Sequence, residues 1–236
     1  MSSINIHVSP NFEALWLYQS AAVIIVCFDV VAIFMVIVGS LTFLTVQFKM
    51  LQSYLDNIIK LAKEEMEQDM SNAHECPSWI YLNKRLTDAI KYHLDIIDTG
   101  KEIENILHGV FFLFFIFTLS FLCIDIYRAS LLSTADMELP VIMMESLTVF
   151  FPILIICYYG EELAYHSEQV GVVAYQMDFV GTDLRFQRSL ILLIERSQEA
   201  LRIKAGRMIG ASMATALWMI RTTYSAYMML RTVNTK

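Results

Sequence analysis

No lysine or arginine precedes Lys49. A secretory signal opens on a basic segment and has an apolar run of about 7 to 15 residues. The apolar stretch here runs from residue 15 to residue 48, so it is read as part of the mature protein. Charge is scarce everywhere, with 17% charged residues against 56% hydrophobic ones, well below the roughly 25% charge of ordinary soluble domains. The net charge of −7 is spread among the connecting segments, and without a long basic tract nucleic acid is not an expected partner. The four cysteines, Cys27, Cys76, Cys123 and Cys157, form no C-x-x-C pair, and three lie in apolar blocks, which excludes a disulfide framework. His74, Glu75 and Cys76 are adjacent but lack a second ligand pair, so they are read as a loop rather than a metal site. Glu162 and His166 can share a helix face, with Glu161 beside them, yet the Glu-x-x-His spacing of di-iron bundles is absent, and they are read as a polar surface below the membrane. Glycine-rich phosphate loops and the Gly-x-Ser-x-Gly elbow are missing too. No catalytic residue, metal or cofactor is expected, and the chain does not read as an enzyme.

Four apolar blocks carry the hydrophobic excess, and each can supply the roughly 20 residues that a helix needs to cross about 30 Å of hydrocarbon. The expected class is an all-α membrane protein with four transmembrane helices at 14–48, 105–132, 139–160 and 205–231. Lysine and arginine are retained on the cytoplasmic side of short loops. Seven of them lie within the segment 49–104 and five within 161–204, whereas 1–13 has none, 133–138 has none and the tail 232–236 has only Lys236. Segments 49–104 and 161–204 are therefore expected inside the cell, and 1–13, 133–138 and 232–236 outside.

The cytoplasmic segments have helical periodicity of their own. Leu51, Leu55, Ile58, Ile59 and Ala62 continue the first span as a helix, which residues 71–78 with Pro77 should break. Trp79, Leu82, Leu86, Ile90, His93 and Ile97 form a second amphipathic stretch that runs into the second span. The third span continues through Leu163, Ser167, Val170, Ala174 and Met177 until Gly181-Thr182-Asp183 supplies a break and an N-cap. A short helix with Phe186, Leu190, Leu193 and Ile194 precedes the last span.

On that last span Ile209, Met213, Ala216, Ile220, Thr223, Tyr227 and Leu230 recur every three or four residues as an uncharged stripe. Such a stripe serves either as a packing face or as a pore lining that gates by dewetting. Gly206 and Gly210 form a small-xxx-small pair suited to close helix approach. Arg221 lies on the opposite side near mid-membrane, where an unpaired charge costs about 2.5 to 3.5 kcal/mol. Asp29 and Glu145 are its expected partners.

From residue 161 onward the order of parts is specific. Ser167, Ala174 and Tyr175 are followed by the basic residues Arg188 and Arg196, then by Ala205-Gly206, and finally by Tyr224-Ser225 with Tyr227 and Leu230. This series resembles the insect odorant receptor family, and the similarity extends over the whole chain as the fourth to seventh transmembrane segments. Phe179 stands where the family often has Trp, and Ala200 where Pro is frequent. The resemblance implies the C-terminal portion of a seven-helix receptor, which agrees with an outside N-terminus. It implies an odorant receptor subunit that binds volatile odorant and forms, with a shared co-receptor, a heteromeric, tetrameric, odorant-gated non-selective cation channel. The location implied is the plasma membrane of an olfactory sensory neuron, with the C-terminus extracellular. Under that resemblance the gate is expected at Thr223, Tyr227 and Leu230. The odorant pocket is expected among the outer halves of the spans, at Phe12, Trp16, Gln19 and Val23 and at Met143, Leu147 and Phe150. A gustatory receptor of related architecture is the alternative within the class, with a Thr-Tyr-x-x-x-x-Gln-type ending that this chain lacks. A four-span transporter or enzyme would need titratable groups converging at one depth, and Asp29, Asp125, Glu145 and Arg221 are scattered.

Overall fold

Helices form where the periodicity and caps put them, and several run further than a bilayer is thick. The computed structural model describes residues 11–69, 79–131 and 138–234, the side chains at 11, 12, 67–69, 79, 230, 231, 233 and 234 excepted. Helix α1 spans Asn11–Asp56 and, after Asn57, α2 spans Ile58–Asp69. Helix α3 spans Trp79–Leu131, α4 Glu138–Gln176, α5 Leu184–Ser197 and α6 Met213–Asn234. At 1.5 Å per residue α3 is about 80 Å long and α4 about 58 Å, against about 30 Å of hydrocarbon. Each therefore crosses with one part and projects with the rest. Helices α1, α3 and α4 are long and apolar enough to cross a membrane, and α6, at about 33 Å, is long enough. The expected break at 71–78, with its His74-Glu75-Cys76 cluster, lies outside the described residues.

Most of the larger buried cluster sits in the projecting ends, and a smaller one, with Phe115, Ile153, Cys157, Ala216 and Met219, lies within the spans. Phe48, Leu51, Leu55 and Ile58 pack with Leu82, Leu86 and Ala89 of α3, with Leu163, Val170 and Ala174 of α4, and with Phe186, Leu190 and Leu193 of α5. In water, such burial is what drives helices together. The outer part of α1 is the opposite case: Trp16, Val23, Ile24, Phe28 and Val36 are exposed, as suits a helix whose surroundings are themselves apolar. Polar ties fix the register of the projecting helices. Lys49 Nζ lies 2.9 Å from Glu162 Oε1, and Gln52 Nε2 donates to the carbonyl of His166 at 2.7 Å. Arg85 Nε donates to Glu65 Oε2 at 2.9 Å, Lys84 donates to the same carboxylate, and these contacts, that of Lys84 foremost, hold Glu65 below its usual pKa. His93 is buried against Phe48, and desolvation, assisted by Arg196, lowers its pKa, so it packs as a neutral ring. The expected cap is present: Asp183 accepts from Arg185 N at 2.7 Å and opens α5 after Gly181, whose φ is +87°.

The last helix starts later than residue 205. Residues 204–210 form a small antiparallel hairpin, with strand β1 (Lys204–Ala205) pairing to strand β2 (Ile209–Gly210). Gly206 and Arg207 at its tip have φ of +58° and +62°, and Met208 N closes the turn on Ala205 O at 3.2 Å, a primed turn that needs left-handed residues. The hairpin is pinned at both ends, by Gly206 N to His108 O at 3.0 Å and by Ala211 N to Ile203 O at 3.0 Å. Ser212 then caps α6, its Oγ accepting from Thr215 N at 3.4 Å, and Glu161 Oε2 accepts from Met213 N at 3.2 Å, a carboxylate at the positive end of the helix. Gly206 and Gly210 are therefore not a helix-packing pair. Gly206 does permit a close approach, to the ring of Phe112, which an added Cβ would meet at 2.7 Å.

Candidate ligand cleft and pore helix

Between α3, α4 and α6 lies a cleft of about 310 Å³, within the range of small-molecule sites. Leu122 and Ile126 of α3 form one wall, Met143, Ser146, Leu147 and Phe150 of α4 the second, and Ile220, Thr223 and Tyr224 of α6 the third. The lining is almost wholly apolar, broken by three hydroxyls. A larger cavity of about 520 Å³ lies where the hairpin meets α3, lined by Lys101, Glu102, Glu104, Asn105, His108, Lys204 and Arg207. An apolar ligand there would strip water from charged groups at a large cost, so the smaller cleft is the candidate site.

Three expected pocket residues, Met143, Leu147 and Phe150, come together in this cleft because positions i, i+4 and i+7 share one face of α4. The α1 residues do not reach it. Trp16, Gln19 and Val23 are exposed on the outer part of α1, and the side chain of Phe12 lies outside the described set. Leu122, Ile126, Ser146, Ile220 and Tyr224 line the cleft and were not anticipated. Apolar side chains on a spanning helix look alike whether they face lipid, a neighbour or a cavity.

The stripe on α6 divides in a way the period alone did not reveal. Ala216, Met219 and Thr223 are buried against the rest of the chain, whereas Leu217, Ile220, Arg221 and Tyr224 are exposed. Thr223 thus turns toward the cleft and the α3–α4 side rather than away from the chain. Tyr227 is half-buried at the edge of the packed face, and the side chain of Leu230 lies outside the described set. Ile209 belongs to the hairpin.

The expected pairing of Arg221 is also different. Glu145 is held by Arg128, Nη1 to Oε2 at 3.0 Å, and the same guanidinium stands 3.7 Å from Asp125 Oδ1. Arg128, three residues from Asp125 on α3, reaches both carboxylates first. Arg221 and Asp29 are exposed and form no ion pair with each other or with Glu145 among the described residues. Asp125 is buried and accepts from Ser146 Oγ at 3.1 Å, which sets a charged cluster directly beside the apolar cleft. Cys27, Cys123 and Cys157 are free thiols, and no group of three or more potential metal ligands occurs among the described residues.

Comparison with known proteins gives one answer. A profile described as 7tm odorant receptor matches residues 3–224. Odorant receptor 46a, isoform A, of Drosophila melanogaster is 23% identical over 227 residues, which cover 96% of this chain and 56% of that protein. Odorant receptor 30a of the same fly is 24% identical over 231 residues, with the same two coverages. The chain thus spans little more than half the length of these relatives. Among solved structures, that of the insect olfactory receptor OR5 from Machilis hrabei in complex with eugenol superposes with a TM-score of 0.80, over 99% of this chain and 56% of that one, at 16% identity. The fold is the all-helical membrane fold of that receptor, and the relatives are receptors rather than enzymes. By the match over 3–224, this chain belongs to the 7tm odorant receptor family.

Proposed function

We propose that this chain forms the ligand-binding and pore-forming part of an odorant receptor subunit, which assembles with a co-receptor into an odorant-gated, non-selective cation channel. The channel acts in the plasma membrane of an olfactory sensory neuron, with α6 as the fourth span of this chain and residues 133–138 and 232–236 extracellular. One observation carries the reading: a wall of the apolar cleft is α6 itself, through Ile220, Thr223 and Tyr224. A ligand shifts an equilibrium only by binding its two states unequally. A volatile lodged against α6 touches the helix that has to move, so binding and opening share the same contacts. The eugenol-bound olfactory receptor of the same fold supports a small volatile as the ligand class.

The test uses a complete receptor containing this chain, expressed with its co-receptor. Leu147→Trp fills the cleft and is expected to raise the half-maximal concentration of activating odorants by at least about tenfold at unchanged surface level, the size expected when contacts worth about 1.4 kcal/mol are lost. Unchanged responses would remove the cleft as the site. The gate is proposed at Tyr227 and Leu230, near the outer end of α6. Leu230→Ala is expected to raise the basal current severalfold by wetting an apolar constriction, and basal and evoked currents equal to wild type would place the gate elsewhere.

A further inference from the structure

The aliphatic hydroxyls of the cleft have their protons committed. Ser146 Oγ donates to Asp125 Oδ2 at 3.1 Å, and Thr223 Oγ1 donates to the carbonyl of Met219 at 2.8 Å. A hydroxyl carries one proton and two lone pairs, so in this arrangement each can only accept from a ligand. The two commitments are unequal. The Met219 carbonyl is inside a helix and already serves the backbone, so Thr223 can turn its proton away at little cost. Asp125 is 3% exposed and stands beside the Arg128 guanidinium. Withdrawing the Ser146 proton would leave a buried carboxylate short of a donor, which is expensive. Ser146 is therefore held as an acceptor, whereas the phenol of Tyr224, 60% exposed, is free to turn.

We infer that the cleft selects ligands that carry a hydrogen-bond donor, alcohols and phenols, over their carbonyl counterparts, with Ser146 as the residue that determines the preference. The inference rests on the reading of the cleft as the ligand site. A ligand hydroxyl donates to Ser146 and keeps its hydrocarbon against Met143, Leu147 and Phe150. A ketone or aldehyde of the same shape brings lone pairs against the lone pairs of Ser146 and gains no bond there, while the donors that Thr223 and Tyr224 can turn toward a ligand serve an alcohol oxygen equally well. Sites built to pair with one ligand hydrogen reject the analogue lacking it more strongly than they reject a change of one methylene.

The experiment records currents from the complete receptor with its co-receptor for matched pairs, 1-octanol with octanal and benzyl alcohol with benzaldehyde. The alcohol of at least one pair is expected to act at about tenfold lower concentration, the worth of one good hydrogen bond. Ser146→Ala is expected to erase that difference by weakening the alcohol, while the carbonyl compound stays within about twofold of wild type. Ser146→Thr keeps the acceptor and the preference. Asp125→Asn supplies an amide donor to Ser146, frees its proton and is expected to shift the preference toward the carbonyl partner, a reversal that a merely structural role for Asp125 would not produce. These last two variants decide the matter if Ser146→Ala fails to reach the surface. Alcohols that do not activate, or a preference unchanged by both Ser146→Ala and Asp125→Asn, overturn the inference. If Leu147→Trp still suppresses responses in that case, the ligand site stands and only its selectivity falls; if it does not, the site falls as well.

Discussion

Gly160→Leu is expected to abolish surface delivery of the receptor. Gly160 is buried on α4 opposite the end of the hairpin, and a Cβ added there would stand 2.3 Å from the carbonyl oxygen of Ala211 and 2.6 Å from its Cβ. The obstacle is backbone, so no rotamer change relieves it. Ala211 is tied to Ile203, the hairpin tip is tied to α3 through Gly206 and His108, and Ser212 caps α6. Restoring ordinary contact would push the hairpin by about 1 Å and drag the start of α6 with it. Overpacking a buried site typically costs 1 to 3 kcal/mol, and a rigid neighbour puts even Gly160→Ala near the upper end, about 3 kcal/mol, a large share of the roughly 5 to 15 kcal/mol that holds a typical protein folded. Gly160→Ala should therefore lower surface level and melting temperature, and Gly160→Leu should leave no mature protein. Gly39 and Gly109 are controls on neighbouring helices. Nothing lies within 4 Å of their would-be Cβ atoms, so alanine there should be neutral or stabilising by up to about 1 kcal/mol. Surface biotinylation of the four variants and a fluorescence-detected melt of the three alanine variants check the series, and wild-type levels of Gly160→Leu would refute the account.

The sequence and the structure agree where one helix suffices to make the argument. Hydropathy marked α1, α3 and α4 as helices apolar enough to cross a membrane, and the apolar period past Phe48 and before Ile106 marked their helical continuations. Asp183 after Gly181 marked the start of α5. The start of α6 was misread because Ala205, Met208, Ile209 and Ala211 are as apolar as a span, and apolarity alone does not separate a membrane helix from a buried hairpin. Ser212, with Thr215 three residues on, carried the capping signal, and Gly206 and Gly210 carried the turn signal.

The candidate site was legible only in part, for a related reason. A 3.6-residue period says which side chains share a face but not what that face meets. Met143, Leu147 and Phe150 share one cleft on α4, and the other walls of that cleft come from α3 and α6 rather than from α1. Thr223 of the uncharged stripe is buried with Ala216 against the rest of the chain, whereas Met213 and Ile220 of the same stripe are exposed. Arg221 was matched with Glu145 by depth, while Arg128 had the advantage of lying on the helix next to Glu145. Pairings of this kind depend on helix neighbours, which one sequence does not disclose.

Arg128 should prove the charge in the spans that the fold can least lose. Its guanidinium serves two carboxylates of different standing. The pair with Glu145 is half-exposed on both sides, 50% and 53%, and pairs of that kind are worth under about 1 kcal/mol. Asp125 is another matter, since its side chain is 4% exposed and without Arg128 it would keep, among the described residues, only the Ser146 hydroxyl. A buried charge left short of its partner costs roughly 1 to 3 kcal/mol or more, so Arg128→Ala is expected to lower stability by about 2 kcal/mol and surface level severalfold. Glu145→Gln, which leaves Arg128 on Asp125, should change either by little. The decisive variant is the double one. Asp125→Asn removes the stranded charge while keeping shape and a bond to Ser146, so Arg128→Ala combined with Asp125→Asn should recover most of the loss. The single and double variants, compared by melting temperature and surface biotinylation in one cycle, measure the coupling directly, and a double variant no better than Arg128→Ala alone would mean that Arg128 acts through something other than the Asp125 carboxylate.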